Sequence, residues 1–288
     1  MDIFLNPREY FHLHGLKPRK RFGQHFLIQP STAARIVAHA ELQQSDLVVE
    51  IGPGLGSLTQ FIAPRVDRLH LVELDWDLAS YLTKATRSIS DRVLVHQLDV
   101  LQFDFQGLAQ SEGKRLVVLG NLPYNISSPL IFHLLEAVQS IKRAVFMVQR
   151  EVGERLAAGA GSKSYGVLSV LLGVCAQVNK LFLVGPEQFM PKPKVDSLVI
   201  RMDFPERKMA VNPSFRFFRS VVNLAFQHRR KTLRNSLRSL MGNNPLALEH
   251  ALAPISVDLA QRPETLSPQQ FFQLAGILED LQVSLPKM

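Results

Sequence analysis

The chain has 288 residues, 46% of them apolar and 20% charged, with one cysteine and a net charge of +8. That composition excludes a disordered, collagen-like or disulfide-framed protein and supplies enough apolar surface for about two domains. Cys175 alone can close neither an internal disulfide nor a cysteine-based metal cluster, which fits a reducing compartment.

The N-terminal MDIFLNPREY reads as neither a signal peptide nor a transit peptide, so the expectation is a cytoplasmic protein. Residues 1–24 hold five Lys/Arg against two acids, and residues 1–30 read as an extended basic arm. From Asp46 to about Asp203, short β-branched runs alternate with helical stretches. The runs are 47–51, 68–74, 92–98, 115–119, 144–148, 180–184 and 197–202. Segments such as Asp77–Arg87 and Pro129–Gln139 repeat apolar residues at three- and four-residue spacing. Seven strands interleaved with helices predict an open, mostly parallel α/β sheet. The last two runs lack room for a long helix between them, so an antiparallel hairpin at one end of the sheet is expected. Val167–Val178 is the longest apolar run, but it carries Gln177 and falls short of the roughly 20 residues a spanning helix needs. No membrane partner is expected.

After Pro205 the strand pattern stops. Phe215–Phe226, Arg230–Met241, Pro245–Ala253 and Ser267–Leu281 read as helices, with Ser267 as a cap. The expected division is a basic arm over 1–30, an α/β domain over 31–206 and a helical domain over 207–288. Residues 207–248 carry nine Lys/Arg and no acid. A neutral chemical core with basic segments on either side points to a polyanionic partner.

The first strand ends in Glu50-Ile-Gly52-Pro-Gly54-Leu-Gly56-Ser-Leu-Thr. A glycine-rich turn between strand and helix lets the backbone approach a ligand closely. A dinucleotide fingerprint wants glycine at the sixth position of this turn, where the chain has Ser57. The spacing suits a cofactor without a pyrophosphate, such as S-adenosylmethionine, and counts against an NAD-dependent dehydrogenase. Glu73 lies 21 residues after Gly52, at the end of the second strand, where an acid can accept from both ribose hydroxyls. Asp99 ends the third strand, where a carboxylate can accept from the adenine amine.

The fourth strand runs into Gly120-Asn121-Leu122-Pro123-Tyr124-Asn125. The exocyclic amine of an aromatic base is a poor nucleophile, because its lone pair is delocalised into the ring. Two acceptors that hold the amine hydrogens turn that lone pair towards an incoming methyl. The Asn121 side-chain oxygen and the Leu122 carbonyl can supply them, while Pro123 stiffens the turn and Tyr124 stacks on the base. Catalysis of this kind is positioning and electrostatics and needs no metal, and no Cys, His and acid cluster has metal-ligand spacing. Phe189, in the rigid Phe189-Met-Pro-Lys-Pro-Lys-Val-Asp196, is the expected clamp for the opposite face of a flipped base.

Taken together, the sequence resembles the ribosomal RNA adenine N6,N6-dimethyltransferases that act on small-subunit RNA. The motifs that carry the resemblance span nearly the whole chain. They are Lys20–Leu27, Glu50–Gly56, Val72–Asp75, Gln97–Asp99, Asn121–Ile126, Pro191–Ser197 and Phe226–Ser236. The resemblance implies a Rossmann-like class I methyltransferase domain with a small all-helical C-terminal domain, and S-adenosylmethionine as donor. It implies transfer of two methyls to each of two adjacent adenosines in the 3′-terminal hairpin of 16S rRNA, during late small-subunit assembly. The implied partner is 16S rRNA in the precursor 30S subunit, met by a monomeric enzyme. By position, His25 and Leu27 are implied to line the cofactor site. Gly54 is a further cofactor-binding residue; Gly52 is implied to approach the methionine part, Glu73 the ribose and Asp99 the adenine, with Asn121 shared between cofactor and target amine. The family usually has Asn where this chain has His25; a main-chain contact survives that change and an amide contact does not. Arg229, Arg230, Lys231, Arg234 and Arg238, with Arg216 and Arg219, are the expected RNA contacts. Arg230, Arg234 and Arg238 are spaced to share one helix face. Two rivals share much of this pattern, an adenine dimethylase acting on large-subunit RNA and a non-catalytic ribosome-assembly or transcription factor. The basic C-terminal motif argues against the first, and the intact glycine loop and Asn-Leu-Pro-Tyr against the second.

Overall fold

The computed structural model describes residues 4–19, 23–89, 91–206, 213–228, 230–240 and 250–281. They form two compact units, residues 1–153 with 178–206, and residues 154–177 with 207–288. Among the described residues, no helix is long and apolar enough to cross a membrane.

The first unit is built on a seven-stranded sheet. In chain order its strands are β2 (Leu47–Ile51), β3 (Arg68–Glu73), β4 (Val93–Gln97), β5 (Leu116–Asn121), β6 (Ile141–Gln149), β7 (Gln177–Val184) and β9 (Ser197–Asp203). Their order across the sheet is β4-β3-β2-β5-β6-β9-β7. The β2–β3, β3–β4, β2–β5 and β5–β6 pairs are parallel, and β9 runs antiparallel to β6. The sheet is therefore Rossmann-like, as expected. The last two strands are neighbours at one end of it, with β9 inserted between β6 and β7. A further short pair, β1 (Phe26–Leu27) with β8 (Phe189–Met190), lies outside this sheet.

β2 is buried at every position and β3 at all but its first, as a parallel strand covered on both faces must be. Helices α2 (Pro30–Ala38), α3 (Thr59–Ile62), α4 (Trp76–Ala85), α5 (Phe105–Glu112) and α6 (Ser127–Glu136) follow or precede the strands. The core joins Ile36 and Val37 of α2, Leu58, Ile62 and Leu82 with Val48, Leu69, Val117, Leu119, Val145 and Val199 of the sheet. The C-terminal end of α2 is tied down by guanidinium groups from the sheet. Arg201 donates to the His39 carbonyl at 3.0 Å and Arg143 to that of Ala40 at 2.7 Å, so carbonyls left over at the helix end find donors.

Chain order reverses between β2 and β5. This is the switch point at which an open α/β sheet forms a ligand crevice at its carboxyl edge. The two strands approach closely here. A Cβ at Gly120 would lie 2.7 Å from the Ile51 carbonyl oxygen, which is why the residue before Asn121 has no side chain.

The N-terminal arm is not simply extended. Helix α1 (Pro7–Leu13) starts at Asn6, whose side chain accepts from the Arg8 N–H. Its Tyr10 and Phe11 are buried against Phe26, Leu55 and Leu78. Apolar residues among the charges of the arm give it a face to bury, which a count of charge alone does not register.

The second unit contains α8 (Val167–Cys175), α9 (Phe215–Phe226), α10 (Leu233–Ser236) and α11 (Pro268–Asp280). α8 is apolar almost all round, with six of its nine residues buried. A helix of that kind needs neighbours on every side. It finds them in α9 and α11, which puts 154–177 with the C-terminal residues and not with the sheet. α11 buries Phe271, Leu274, Ala275 and Leu278 and is closed at its start by a Ser267–Gln270 capping box.

The helix expected over 230–241 is replaced by a turn, the short α10 and a 3₁₀ turn at Arg238–Leu240. The Leu233 and Arg234 N–H groups donate to the carbonyls of Gln261 and Leu259, and the Lys231 N–H to that of His228. Those donors are thus committed outside a continuous helix, and Arg230, Arg234 and Arg238 do not share one helix face. The expected helix at 245–253 lies largely outside the described residues, which resume at 250.

One polar pair sits within the sheet. His70 of β3 is 5% exposed, and its Nδ1 lies 2.8 Å from Nε2 of His96 on β4. Burial first, and then His96, push the His70 imidazole down to about 4. The folded protein thus binds fewer protons here than the unfolded chain between about pH 6.5 and pH 4. Stability is therefore expected to fall as the pH drops through that window, by up to about 3 kcal/mol from this group. Denaturant titrations from pH 4 to pH 7 should show His70→Phe losing this part of the acid sensitivity.

Candidate active site

At the carboxyl ends of β2, β3, β4 and β5 lies a cavity of about 360 Å³. The sheet supplies Glu50, Ile51, Gly52, Glu73, Asp99, Asn121, Leu122, Pro123 and Tyr124 to its wall, and the arm supplies Gly23 to Leu27. Among the described residues, three carboxylates line this cavity and no lysine or arginine does. That polarity suits a cationic ligand and opposes a pyrophosphate.

The glycine loop does two jobs. Gly52 lines the cavity, whereas Gly54 is not among its lining residues. Gly54 has φ +59°, and a Cβ there would press on the Phe26 ring at 3.1 Å. Its missing side chain thus seats the arm, and its N–H donates to Glu73 at 3.1 Å. The other Glu73 oxygen accepts from the Asp75 N–H at 2.9 Å. The carboxylate is therefore held by two backbone donors before any ligand arrives. Burial nonetheless pushes Glu73 up to about 7. Glu50 is 1% exposed and accepts from the Thr59 hydroxyl at 2.7 Å. Burial pushes it further, to about 8, with Glu73 adding to the effect. Asp99 sits just past β4 and caps the following turn by accepting from the Leu101 N–H at 2.9 Å.

The Asn121 side-chain N–H donates to the main-chain carbonyl of His25 at 2.8 Å. Only the amide nitrogen can donate to a carbonyl, so the amide's orientation is fixed and its oxygen is turned away from His25. The contact from His25 runs through the main chain, the kind that survives an Asn-to-His change. Leu122 itself is buried, and its N–H donates to the Met147 carbonyl at 3.0 Å, which fixes the turn that presents its carbonyl. The Tyr124 hydroxyl is 2.9 Å from Ser197 Oγ. The imidazole of His25 stacks on the Tyr124 ring, with centroids 5.4 Å apart and 29° between planes. His25 Nδ1 lies 2.7 Å from the Pro191 carbonyl, so this nitrogen carries a proton and donates it.

Sequence reasoning assembled His25, Leu27, Gly52, Glu73, Asp99, Asn121, Leu122, Pro123 and Tyr124, and the structure brings all of them to one cavity. Phe189 is different. It is 2% exposed, pairs with Leu27 across β1 and β8, and belongs to the core. A base clamp needs an open ring face, so the structure does not place Phe189 as one; it serves by anchoring the arm. Gln24, Asn125 and Ser197 were missed. Glu50 was quoted only as part of the glycine motif, although an acid inside an apolar strand is itself a signal. In the second unit Arg216, Arg230, Lys231, Arg234 and Arg238 are exposed and Arg219 is half-buried. Arg229 lies outside the described residues.

Comparison with known proteins agrees with this geometry. The family model described as ribosomal RNA adenine dimethylase matches residues 15–280. Ribosomal RNA small subunit methyltransferase A of Tolumonas auensis is 44% identical over 264 residues, covering 92% of this chain and 96% of that protein. The protein of the same name from Leptothrix cholodnii is 44% identical over 269 residues, covering 93% and 95%. Among solved structures, a dimethyladenosine transferase from Plasmodium falciparum has a TM-score of 0.73 at 25% identity, covering 91% of this chain and all of that one. The 23S rRNA methyltransferase ErmE has a TM-score of 0.67 at 26% identity, covering 88% and 99%. With the family model spanning most of the chain and relatives matched nearly end to end, the chain belongs to the ribosomal RNA adenine dimethylase family.

Proposed function

We propose that this enzyme transfers methyl groups from S-adenosylmethionine to N6 of two adjacent adenosines in the 3′-terminal hairpin of 16S rRNA, on a precursor 30S subunit. It acts as a monomer in the cytoplasm. The observation that carries the reading is the Asn121 amide, oriented by His25 so that its oxygen is left to accept, beside a cavity whose charged groups are carboxylates. The names of the curated relatives favour the small subunit over the large one.

The residues present fit the donor. Glu73, already oriented by two N–H groups, would hold the ribose, and Asp99 the adenine amine. Gly52 and the arm residues 23–27 would enclose the methionine part. When bound, the donor supplies an electrophilic methyl on a sulfonium. The protein's own part is geometric. Asn121 Oδ1 and the Leu122 carbonyl accept the hydrogens of the target amine and turn its lone pair out of conjugation. Tyr124 supplies a ring for the base to stack on, with its plane fixed through Ser197 and His25. Pro123 keeps the acceptors from moving apart. After one transfer the same two acceptors can hold the remaining hydrogen, so one site serves both steps. The exposed basic residues Arg230, Lys231, Arg234 and Arg238, with Arg229, supply contacts to RNA phosphates.

Three outcomes are expected. Given labelled donor alongside naked large-subunit RNA, unmethylated 30S particles should carry label on two adjacent adenosines near the 3′ end of 16S rRNA; label confined to the large-subunit RNA would reject the assignment. Asn121→Ala should lower turnover by about 100-fold while RNA affinity changes little, and near-normal turnover would remove the acceptor role from that side chain. Charge reversal at Arg230 and Arg238 should weaken RNA binding and flatten its dependence on salt.

Proton balance gives a fourth. Glu50 holds its proton up to about pH 8 in the donor-free protein. A cation bound nearby favours the ionised carboxylate, so binding releases a proton and affinity rises with pH up to about 8. Calorimetry at about pH 8 in buffers of different ionisation enthalpy should show this release for S-adenosylmethionine and less of it for the neutral product. Glu50→Gln should also release less, with Glu73, pushed up to about 7, as the remaining source.

A further inference from the structure

The ribose carboxylate of the site above depends on a turn that is held from outside the cavity. The Asp75 N–H is one of the two donors that orient Glu73. Asp75 also caps α4, its Oδ1 accepting from the Asp77 N–H at 3.1 Å, and its side chain is 4% exposed. A buried carboxylate needs partners that match its charge. Asp75 takes both from the arm, with the Arg19 guanidinium at 2.7 Å on Oδ1 and the Gln24 amide at 2.9 Å on Oδ2. The same Arg19 reaches Asp77 with its second terminal nitrogen, and its N–H donates to the Gln24 side-chain oxygen at 2.7 Å. Gln24 lines the cavity, next to His25. Arg19 is itself not among the lining residues, and neither is Asp75 or Asp77.

We propose that Arg19 is a positioning residue for the methyl donor: by bridging Asp75 and Asp77 it fixes the turn that presents Glu73 and holds Gln24 of the arm against the cavity. This rests on reading the cavity as the donor site. The fork of a guanidinium spans two carboxylates, which an ammonium does not. Removing Arg19 leaves Asp75 buried without its counter-ion. The turn then has reason to open towards water, carrying the Asp75 N–H away from Glu73. The effect falls on donor and product binding, since the acceptors for the target amine stand at the end of β5, where the Leu122 N–H is tied to Met147, and the His25 carbonyl that orients Asn121 is kept in place by the β1–β8 pair and by Pro191. An enzyme that must exchange spent donor for fresh between successive transfers is sensitive to the strength of such a tie.

The test measures binding of S-adenosylhomocysteine by calorimetry, together with steady-state methyl transfer, on the full-length chain. Trp76, the single tryptophan, lies between the two bridged carboxylates, is 67% exposed, and gives a second binding signal by fluorescence. Arg19→Ala should weaken product binding by about tenfold and raise KM for the donor equally, with kcat at saturating donor within about twofold of wild type. Arg19→Lys should fall between the two, and Asp77→Asn should cost about threefold. Arg19→Ala combined with Asp77→Asn should be about as weak as Arg19→Ala alone, since both remove one interaction. Unchanged product affinity in Arg19→Ala, fully additive losses in the double variant, or a fall in kcat at unchanged KM would each overturn the proposal. If the wild type bound neither donor nor product, the reading of the cavity would fall first, and this proposal with it.

Discussion

The hydrogen bond from the Asn121 amide to the His25 carbonyl joins two parts of the cavity wall that are far apart in the chain. Asn121 ends a central strand and is as fixed as the sheet. His25 belongs to the arm and has no strand of the main sheet to hold it. The bond gives the arm a register against the sheet and gives the amide a direction. An amide that turns its nitrogen to a carbonyl turns its oxygen the other way, so the direction of the group is set within the protein. Much of the surrounding structure serves to keep that carbonyl in place. β1 pairs with β8, His25 Nδ1 donates to the Pro191 carbonyl, and Phe26 sits where Gly54 has no side chain.

The electrostatics of the cavity follow from the same packing. Closing the arm over the carboxyl edge of the sheet puts Glu50 and Glu73 out of reach of water, and burial raises both. Two close acids with no lysine or arginine among the described residues of the cavity wall are costly to ionise. A ligand that brings positive charge relieves that cost. The basic charge of the chain is concentrated elsewhere in the sequence, where nine Lys/Arg occur without an acid over 207–248.

Several readings of the sequence met their limits for identifiable reasons. Helix periodicity over 230–241 was real, but the Leu233 and Arg234 N–H groups find partners at Gln261 and Leu259, and a continuous helix loses to those contacts. The aromatic at 189 has the composition of a clamp and the burial of a core residue. No local pattern distinguishes the two, because the difference lies in which segment covers the ring. The basic arm looked extended on charge, yet Tyr10 and Phe11 give it a buried face.

What the sequence alone determined was the order of strands and helices, the glycine turn, and the acids and amide at the strand ends. Alternation and spacing are local properties, and a parallel α/β sheet turns them into a common edge whatever its details. The tertiary structure decided what touches that edge. The arm's path, the His25–Asn121 bond, the burial of Phe189 and the placing of 154–177 with the second unit all depend on contacts between residues far apart in the chain. Such contacts are chosen by competition among surfaces that need covering, and no window of sequence contains both competitors.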